Sequence, residues 1–428
     1  MSLVLGVAAC HAGPDTSPGV SWELAKHRTS TISNVRYELT FSIPSNVEEP
    51  IKGTETARFE LSDARRALVF DFAGPAEGVT SVAVDGQPVE YTVADQHVVV
   101  PPDVLHDGEV AIAVEFVAGD GALNRNDGFL YTLFVPDRAR TAFPTFDQPN
   151  LKARYRLTLE VPEDWEAVSN AEVLEQSTEG GRKRVSFGET EPISTYLFAF
   201  AAGRFQMETS ERDGRRLRLY HRETDAGKVA RNLDAIFDLH ATALAWLEEY
   251  TGIPYAFGKF DFVAIPSFQY GGMEHPGSIL YRSASLFLDE SATQSQYLGR
   301  ASLIAHETAH MWFGDLVTMD WFDDVWMKEV FANFMAAKIV NPSFPEINHD
   351  LSFLVRRYPR AYAVDRSEGA NPIRQELLNL NEAGQMYGAI IYQKAPIVMR
   401  QLERLVGESM LRDGLREYLA TYQFANAS

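Results

Sequence analysis

An all-β unit followed by a mostly helical one is the fold class that this 428-residue sequence predicts. Two observations predict it. From about Asn34 to Arg204, apolar and polar residues alternate in short runs broken by Pro and Gly every ten residues or so, the period of half-buried strands. Beyond about residue 212 the apolar residues recur at helical spacing instead. A chain of this length is expected to hold two or three domains. The division read here is a flexible segment over residues 1–22, an all-β sandwich-like domain over 23–206 and a mostly helical domain over 207–428.

The elements follow in order. Val35–Ile43 and Thr54–Leu61 alternate, and Val82–Tyr91 carries an Asp85-Gly86 hairpin turn between two such runs. Further strands are expected at Val110–Phe116, Tyr155–Val161, Arg184–Phe187 and Tyr196–Ala202. After a strand at Arg216–His221, Thr224 or Asp225 caps a helix running to about Tyr250, with Val229, Leu233, Ile236, Phe237, Leu244 and Leu247 on its apolar face. Short strands follow near Phe260–Ile265 and Ser278–Tyr281. Helices are then expected at about Ser295–Trp312, Val325–Ile339, Ile347–Tyr358, Ala389–Leu405 and Met410–Tyr422. There is no internal repeat.

Composition narrows the function classes. No apolar run approaches the ~18 residues of a membrane-spanning helix, so no transmembrane segment is expected. The 39 basic and 59 acidic residues leave a net charge of −20, which argues against nucleic acid or an anionic membrane surface as a partner. Cys10 is the single cysteine, so no intrachain disulfide forms and any metal site must use His, Asp and Glu. Val7-Ala8-Ala9-Cys10, followed by a Gly/Pro/Ser-rich stretch, resembles the end of a bacterial lipoprotein signal. That reading predicts a lipid anchor at Cys10 and a cell-envelope or periplasmic location. The basic leader is absent and the apolar stretch is short, so a chance match in a cytoplasmic protein is the alternative.

His306-Glu307-Thr308-Ala309-His310 has the H-E-x-x-H pattern of zinc peptidases. On a helix, residues four apart lie about 40° apart around the axis, so both imidazoles face one ion. Glu307 projects about 100° further round than His306, placed to reach a water without ligating the metal, as a general base must. The neighbours Leu303, Ile304, Ala305 and Met311-Trp312-Phe313 mark this as a buried helix, where unpaired polar groups are costly. Glu329, nineteen positions after His310 on a second apolar helix, supplies a third ligand once the turn Gly314–Asp320 brings the two helices together. Two His, one Glu and an open position make a catalytic zinc site.

This spacing, with Trp-Phe-Gly-Asp-Leu-Val-Thr-Met (312–319) inside it, resembles the aminopeptidase N-type family of gluzincin metallopeptidases. Tyr270-Gly271-Gly272-Met273-Glu274-His275-Pro276-Gly277 resembles that family's G-x-M-E-N segment, Tyr392-Gln393-Lys394 its Y-x-K-G, and Arg140–Pro149 its R-x-x-F-P-C-F-D-x-P. The resemblance covers about residues 34–425. It implies an N-terminal all-β sandwich or saddle-like domain and a thermolysin-like, mostly helical catalytic domain holding one Zn²⁺. The implied substrates are peptides with a free N-terminus, whose α-ammonium Glu274 binds while Gly271, Gly272 and Met273 line the substrate backbone. Tyr392 is implied as oxyanion donor, Tyr387 as its helper, and Asp324 as a carboxylate orienting a ligand histidine.

The sequence departs from that pattern. His275 replaces Asn, Val330 and Ala395 replace Gly, and Leu133-Phe134-Val135 stands where the family often has a polar partner for the amine. The family's helical C-terminal domain is also expected to be missing. The implied chemistry is metal-assisted hydrolysis of the first peptide bond with Glu307 as base. An endopeptidase of the same chemistry and a relict peptide-binding module remain the alternatives, and a side activity such as epoxide hydrolysis, found in one branch of the family, stays open.

Overall fold

The computed structural model describes residues 15–428; Cys10 and the expected anchor segment lie outside the described residues. A β-rich N-terminal part leads into a part dominated by helices, in agreement with the fold class read from the sequence. Alternation in the first part is what a sheet with one wet face requires. Eight strands pair in the order Val173–Glu179, Arg182–Glu189, Arg154–Pro162, Ile32–Ser42, Lys52–Leu61, Gly108–Val117, Val79–Val84 and Gln87–Pro88. Ile32–Ser42 runs parallel to Arg154–Pro162 and antiparallel to Lys52–Leu61. Its alternate residues Val35, Tyr37, Leu39 and Phe41 enter the core with Ala57, Phe59, Tyr155 and Leu157.

Two smaller sheets complete this core. One orders Glu166–Ser169, Phe200–Gly203, Phe129–Thr132 and Leu123–Asn126; the other orders Leu68–Asp71, His97–Val100 and Thr92–Ala94. The sequence reading omits most of them because a four-residue strand buried on both faces shows no alternation, and Phe129–Thr132 and Phe200–Gly203 are buried throughout. The run Tyr196–Ala202, expected as one strand, divides into a 3₁₀ turn at Thr195–Leu197 and the strand from Phe200. An unexpected helix, α1 (Trp22–Thr31), precedes the first strand, capped by Ser21. Its inward Arg28 grips the buried Asp71 through two bonds of 2.8 and 2.7 Å. That fork-on-carboxylate pair is a tertiary anchor which local periodicity does not announce.

The strand Gln206–Arg212 opens a further, five-stranded sheet continuing through Arg215–His221, Phe260–Ile265, Ser278–Arg282 and the edge strand Gly272–Met273. Helix α2 (Ala226–Thr251) starts at Asp225, whose carboxylate accepts from the Lys228 amide at 3.0 Å. After the single turn α3 (Ser283–Leu286) come α4 (Gln294–His310), α5 (Trp326–Val340), α6 (His349–Asp365), α7 (Ala395–Val406) and α8 (Glu408–Tyr422). A reciprocal Thr293–Gln296 capping box starts α4. Helix α6 continues past its expected end at Tyr358 and through Pro359. The carbonyl that Pro359 leaves unserved belongs to Val355, which is exposed, so water can take the bond. The single helix expected over Ala389–Leu405 is instead a π-helical turn, Ile390–Lys394, followed by α7. Among the described residues, no helix is long and apolar enough to cross a membrane.

One buried group works against the β-core. Glu55, on the inward face of Lys52–Leu61, has no hydrogen-bond partner for either carboxylate oxygen, and burial pushes its carboxyl well above the usual range. A carboxyl raised on folding contributes stability below its unfolded pKa that is lost as pH rises towards its folded value. Glu55→Leu is therefore expected to raise the melting temperature at pH 8 by about 2 °C or more, and by clearly less at pH 5, in paired calorimetric scans. An equal shift at both pH values would remove the titration from the explanation.

Candidate active site

Helix α4 buries Ile304, Ala305 and Ala309, which turns His306 and His310 together towards α5. Their Nε2 atoms stand 3.1 Å apart. Glu329, in the first turn of α5, places Oε2 3.6 Å from His306 Nε2 and 4.0 Å from His310 Nε2. The chain leaves α4 through Gly314 at φ 141°, where a Cβ would come within 3.2 Å of His310 Nδ1. His310 Nδ1 lies 3.0 Å from the Phe313 carbonyl, which can only accept, so Nδ1 donates and Nε2 keeps its lone pair. Two imidazole nitrogens facing each other with a carboxylate beside them make a compact three-donor group. Tetrahedral zinc at ~2.0–2.1 Å from each donor spaces its donors by about 3.3 Å, and the three atoms here bracket that spacing. The donor set fits a metal ion with an open position.

Glu307 lies beside this group. Burial pushes its carboxyl up to about 8, with Glu274 and Glu329 adding to the rise, the direction that suits a group taking up a proton. The edge strand passes so close that a Cβ on Gly272 would stand 2.4 Å from Glu307 Oε1. Only glycine fits there. The sequence reading assigns Gly271 and Gly272 to the approach of substrate; at Gly272 it is the chain's own Glu307 that fills the space.

Glu274 follows that strand and is buried. Its Oε1 lies 2.5 Å from the ammonium of Lys328, which also reaches Glu329 Oε1 at 3.2 Å. Lys328 is 2% exposed, over the rings of Tyr196 and Tyr387 at 5.2 and 5.7 Å. Burial alone would raise both glutamates, but Lys328 outweighs it and, with the imidazoles, holds each carboxyl below its usual range. The sequence reading misses Lys328. Its signal was a lysine between Met327 and Glu329 in a helix otherwise apolar on that flank. His275, in place of the family's Asn, is fully buried with neither ring nitrogen bonded.

Tyr392 stands on the π-helical turn and lines the same cavity of roughly 560 Å³ as Gly271, Met273, Glu274, Glu307 and Lys328, with Tyr387, Val135 and Pro136 also in its lining. Burial raises the hydroxyls of both tyrosines above their ordinary range. The expected role of Asp324 needs correction. Its Oδ1 accepts from Trp326 Nε1 at 2.8 Å and its Oδ2 faces Arg374 at 3.3 Å, whereas His306 Nδ1 has no partner and His310 is oriented by a backbone carbonyl.

Residues 33–197 match the peptidase M1 N-terminal domain, and residues 236–428 match the peptidase family M1 domain. The chain belongs to peptidase family M1. It is similar to a leucyl aminopeptidase of Saccharolobus solfataricus, with 31% identity over 92% of this chain and 50% of that protein. A puromycin-sensitive aminopeptidase of Caenorhabditis elegans is 37% identical over 69% of this chain and 31% of its own length. Aminopeptidase M1-A of Oryza sativa subsp. japonica is 36% identical over 69% and 33%. The chain thus spans half or less of the length of these M1 relatives.

The glycine beside the base gives a direct test. Gly272→Ala is expected to displace the Glu307 carboxylate and cut kcat by about 10²-fold or more, the scale of losing general-base catalysis. Bound metal and melting temperature should stay near those of the parent. A Gly272→Ala protein of parental activity would mean that Glu307 needs no such close approach.

Proposed function

We propose that this chain carries the active site of a zinc-dependent aminopeptidase, which hydrolyses the first peptide bond of peptides with a free N-terminus. The observation that carries the reading is the convergence of His306, His310 and Glu329 with the base Glu307 and the carboxylate Glu274 on one cavity beside a sheet edge. The M1 membership supports it, as do relatives named aminopeptidases. With the reading goes a division into a β-domain over 23–206 and a catalytic domain over 207–428. A lipid anchor at Cys10, and with it an envelope location, is proposed on the Val7–Cys10 pattern alone, with a cytoplasmic location as the alternative.

His306 Nε2, His310 Nε2 and Glu329 Oε2 would hold the zinc, which when bound supplies Lewis acidity and lowers the pKa of a water from 15.7 towards ~7. The chain's own groups do the rest. Glu307 takes the proton of the attacking water on its carboxylate and returns it to the leaving amine. The Tyr392 hydroxyl donates to the oxyanion of the tetrahedral adduct, a contact that exists only once charge has developed there. The edge strand Gly272–Met273, with Gly271 before it, borders the cavity, and a short peptide lies along it as an added strand. Glu274 accepts from the substrate's α-ammonium, so that only a chain end is held in register.

Metal and base are separable. Elemental analysis of metal-replete protein should give about one zinc per chain, and His310→Ala should lose it. Glu307→Gln should keep the zinc while losing at least ~10²–10⁴-fold in turnover of amino-acid amides. Zinc retained in full by His310→Ala would sink the ligand assignment.

The amine reading has its own test. Glu274→Ala should lose roughly 30- to 1,000-fold in kcat/KM on free dipeptides with zinc intact, the scale of a charge-assisted bond lost from a buried pocket. Acetylating the substrate should slow the parent severely and the variant little, because both changes remove one interaction from opposite ends. Equal cleavage of free and blocked peptides by the parent would make it an endopeptidase.

A further inference from the structure

The amine site proposed above already contains a cation. Lys328 Nζ is 2.5 Å from Glu274 Oε1, the carboxylate proposed to read the substrate ammonium, and 3.2 Å from Glu329 Oε1. Its remaining side faces the rings of Tyr196 and Tyr387, so it is held by two carboxylates and two aromatic faces and is withdrawn from bulk solvent. A lysine this enclosed is kept only where its charge is matched. Here the match comes from the groups that a metal ion and a substrate amine would otherwise share.

The charges lining the cavity make the consequence plain. With Glu307 in the ionised form that acts as base, Glu274, Glu307 and Glu329 bring three negative charges, and Lys328 brings one positive charge. A divalent ion at the His306–His310–Glu329 group would then balance the lining without any contribution from substrate. Without the lysine, the same lining would carry one net negative charge, which an α-ammonium completes. From this geometry we infer that Lys328 is a positioning and specificity-determining residue, a tethered counter-cation that fixes the Glu274 carboxylate and competes with the substrate's α-ammonium for it. It lowers the advantage of a free amine over the same ligand lacking one. The inference rests on the reading of Glu274 as the amine site, and it predicts a quantity that reading alone does not. Neutralising a residue inside the pocket should make the site more selective for amines.

Binding reports this without turnover. Leucinol and 4-methylpentan-1-ol differ only by the amine, and neither has a bond to hydrolyse. Calorimetric titration of the metal-replete chain with each gives the amine advantage as a ratio of dissociation constants. Lys328→Gln should raise that ratio by about tenfold or more over the parent, since a unit charge a few ångström from the ammonium is removed in a medium of low effective dielectric. Lys328→Arg, which keeps the charge, should stay within about threefold of the parent. On peptide substrates Lys328→Gln should widen the ratio of kcat/KM between free and N-acetylated peptides beyond the parent's, a change that a merely structural lysine would not produce. Lys328→Met, which keeps the aliphatic stem, repeats the comparison. A ratio unchanged or lowered in both neutral variants, with zinc content and melting temperature near parental, overturns the inference. Glu274→Gln separates the two readings. If it abolishes the amine advantage while the Lys328 variants do not raise it, only the role of Lys328 falls. If the advantage survives Glu274→Gln, the amine site itself lies elsewhere.

Discussion

Three glutamates share one buried cavity, and the local structure around it depends on what balances their charge. Glu274, Glu307 and Glu329 come from a sheet edge and from two different helices, and each is withdrawn from solvent. Isolated carboxylates in such a place would protonate or pull the elements apart. Two answers are visible. Lys328 ties Glu274 to Glu329 and keeps both ionised. Glu307, further from that lysine's bonds, is pushed the other way. The opposed shifts set Glu307 apart from the two carboxylates that Lys328 holds, a division that suits the acid–base role proposed for Glu307.

Holding these charges in place is the task of the surrounding scaffold, and much of it is done from the β-domain. Lys152 donates to the Asp315 and Leu316 carbonyls, at 2.9 and 3.2 Å, just past the end of α4. Tyr196, from the same domain, reaches the Gly314 carbonyl at 3.4 Å, and Asn170 donates to the Pro276 carbonyl at 2.9 Å next to the Glu274 segment. The turn that lets α5 return to α4 is thus pinned from the far side of the domain junction. Asn426 adds a clasp by donating to both Pro149 and Met319 carbonyls. The N-terminal β-rich part therefore works as a buttress for the catalytic geometry as well as a separate fold unit.

How much of this was legible depends on whether the information was local. Strands with one wet face, such as Ile32–Ser42 and Lys52–Leu61, announce themselves by alternation; the fully buried Phe129–Thr132 does not. The Asp225 cap and the H-E-x-x-H face are short-range signals, and the spacing to Glu329 needed only a turn at Gly314. Helix α1 escaped because its stability comes from Arg28 meeting Asp71, forty-three residues away. Lys328 escaped because a lysine beside a charged residue reads as a solvated flank until its surroundings are known. Asp324 was misread for the converse reason: an acidic residue near a metal motif invites a ligand-orienting role, while Trp326 and Arg374 had already claimed it.

The candidate catalytic groups also differ in the elements that carry them. The proposed metal ligands and Glu307 sit on helices packed into the central core, where displacement would expose charge. Tyr392 sits instead on a π-helical turn between α6 and α7, helices with much of their surface in solvent. The approach to that turn is gripped from the N-terminal side: Trp22 packs on Trp321 at 4.9 Å, its amide donates to Leu378 at 2.8 Å, and Arg140 reaches Asn381 at 2.6 Å. A π-turn inserts an extra residue into a helix and re-aims one side chain, so it survives where that aim has value. An oxyanion donor, like a base or a ligand, works by being aimed in advance at the place where charge develops, and the contacts from the N-terminal part hold the approach to this turn. The tyrosine thus reaches the cavity from the outer helices, while the carboxylates reach it from the core.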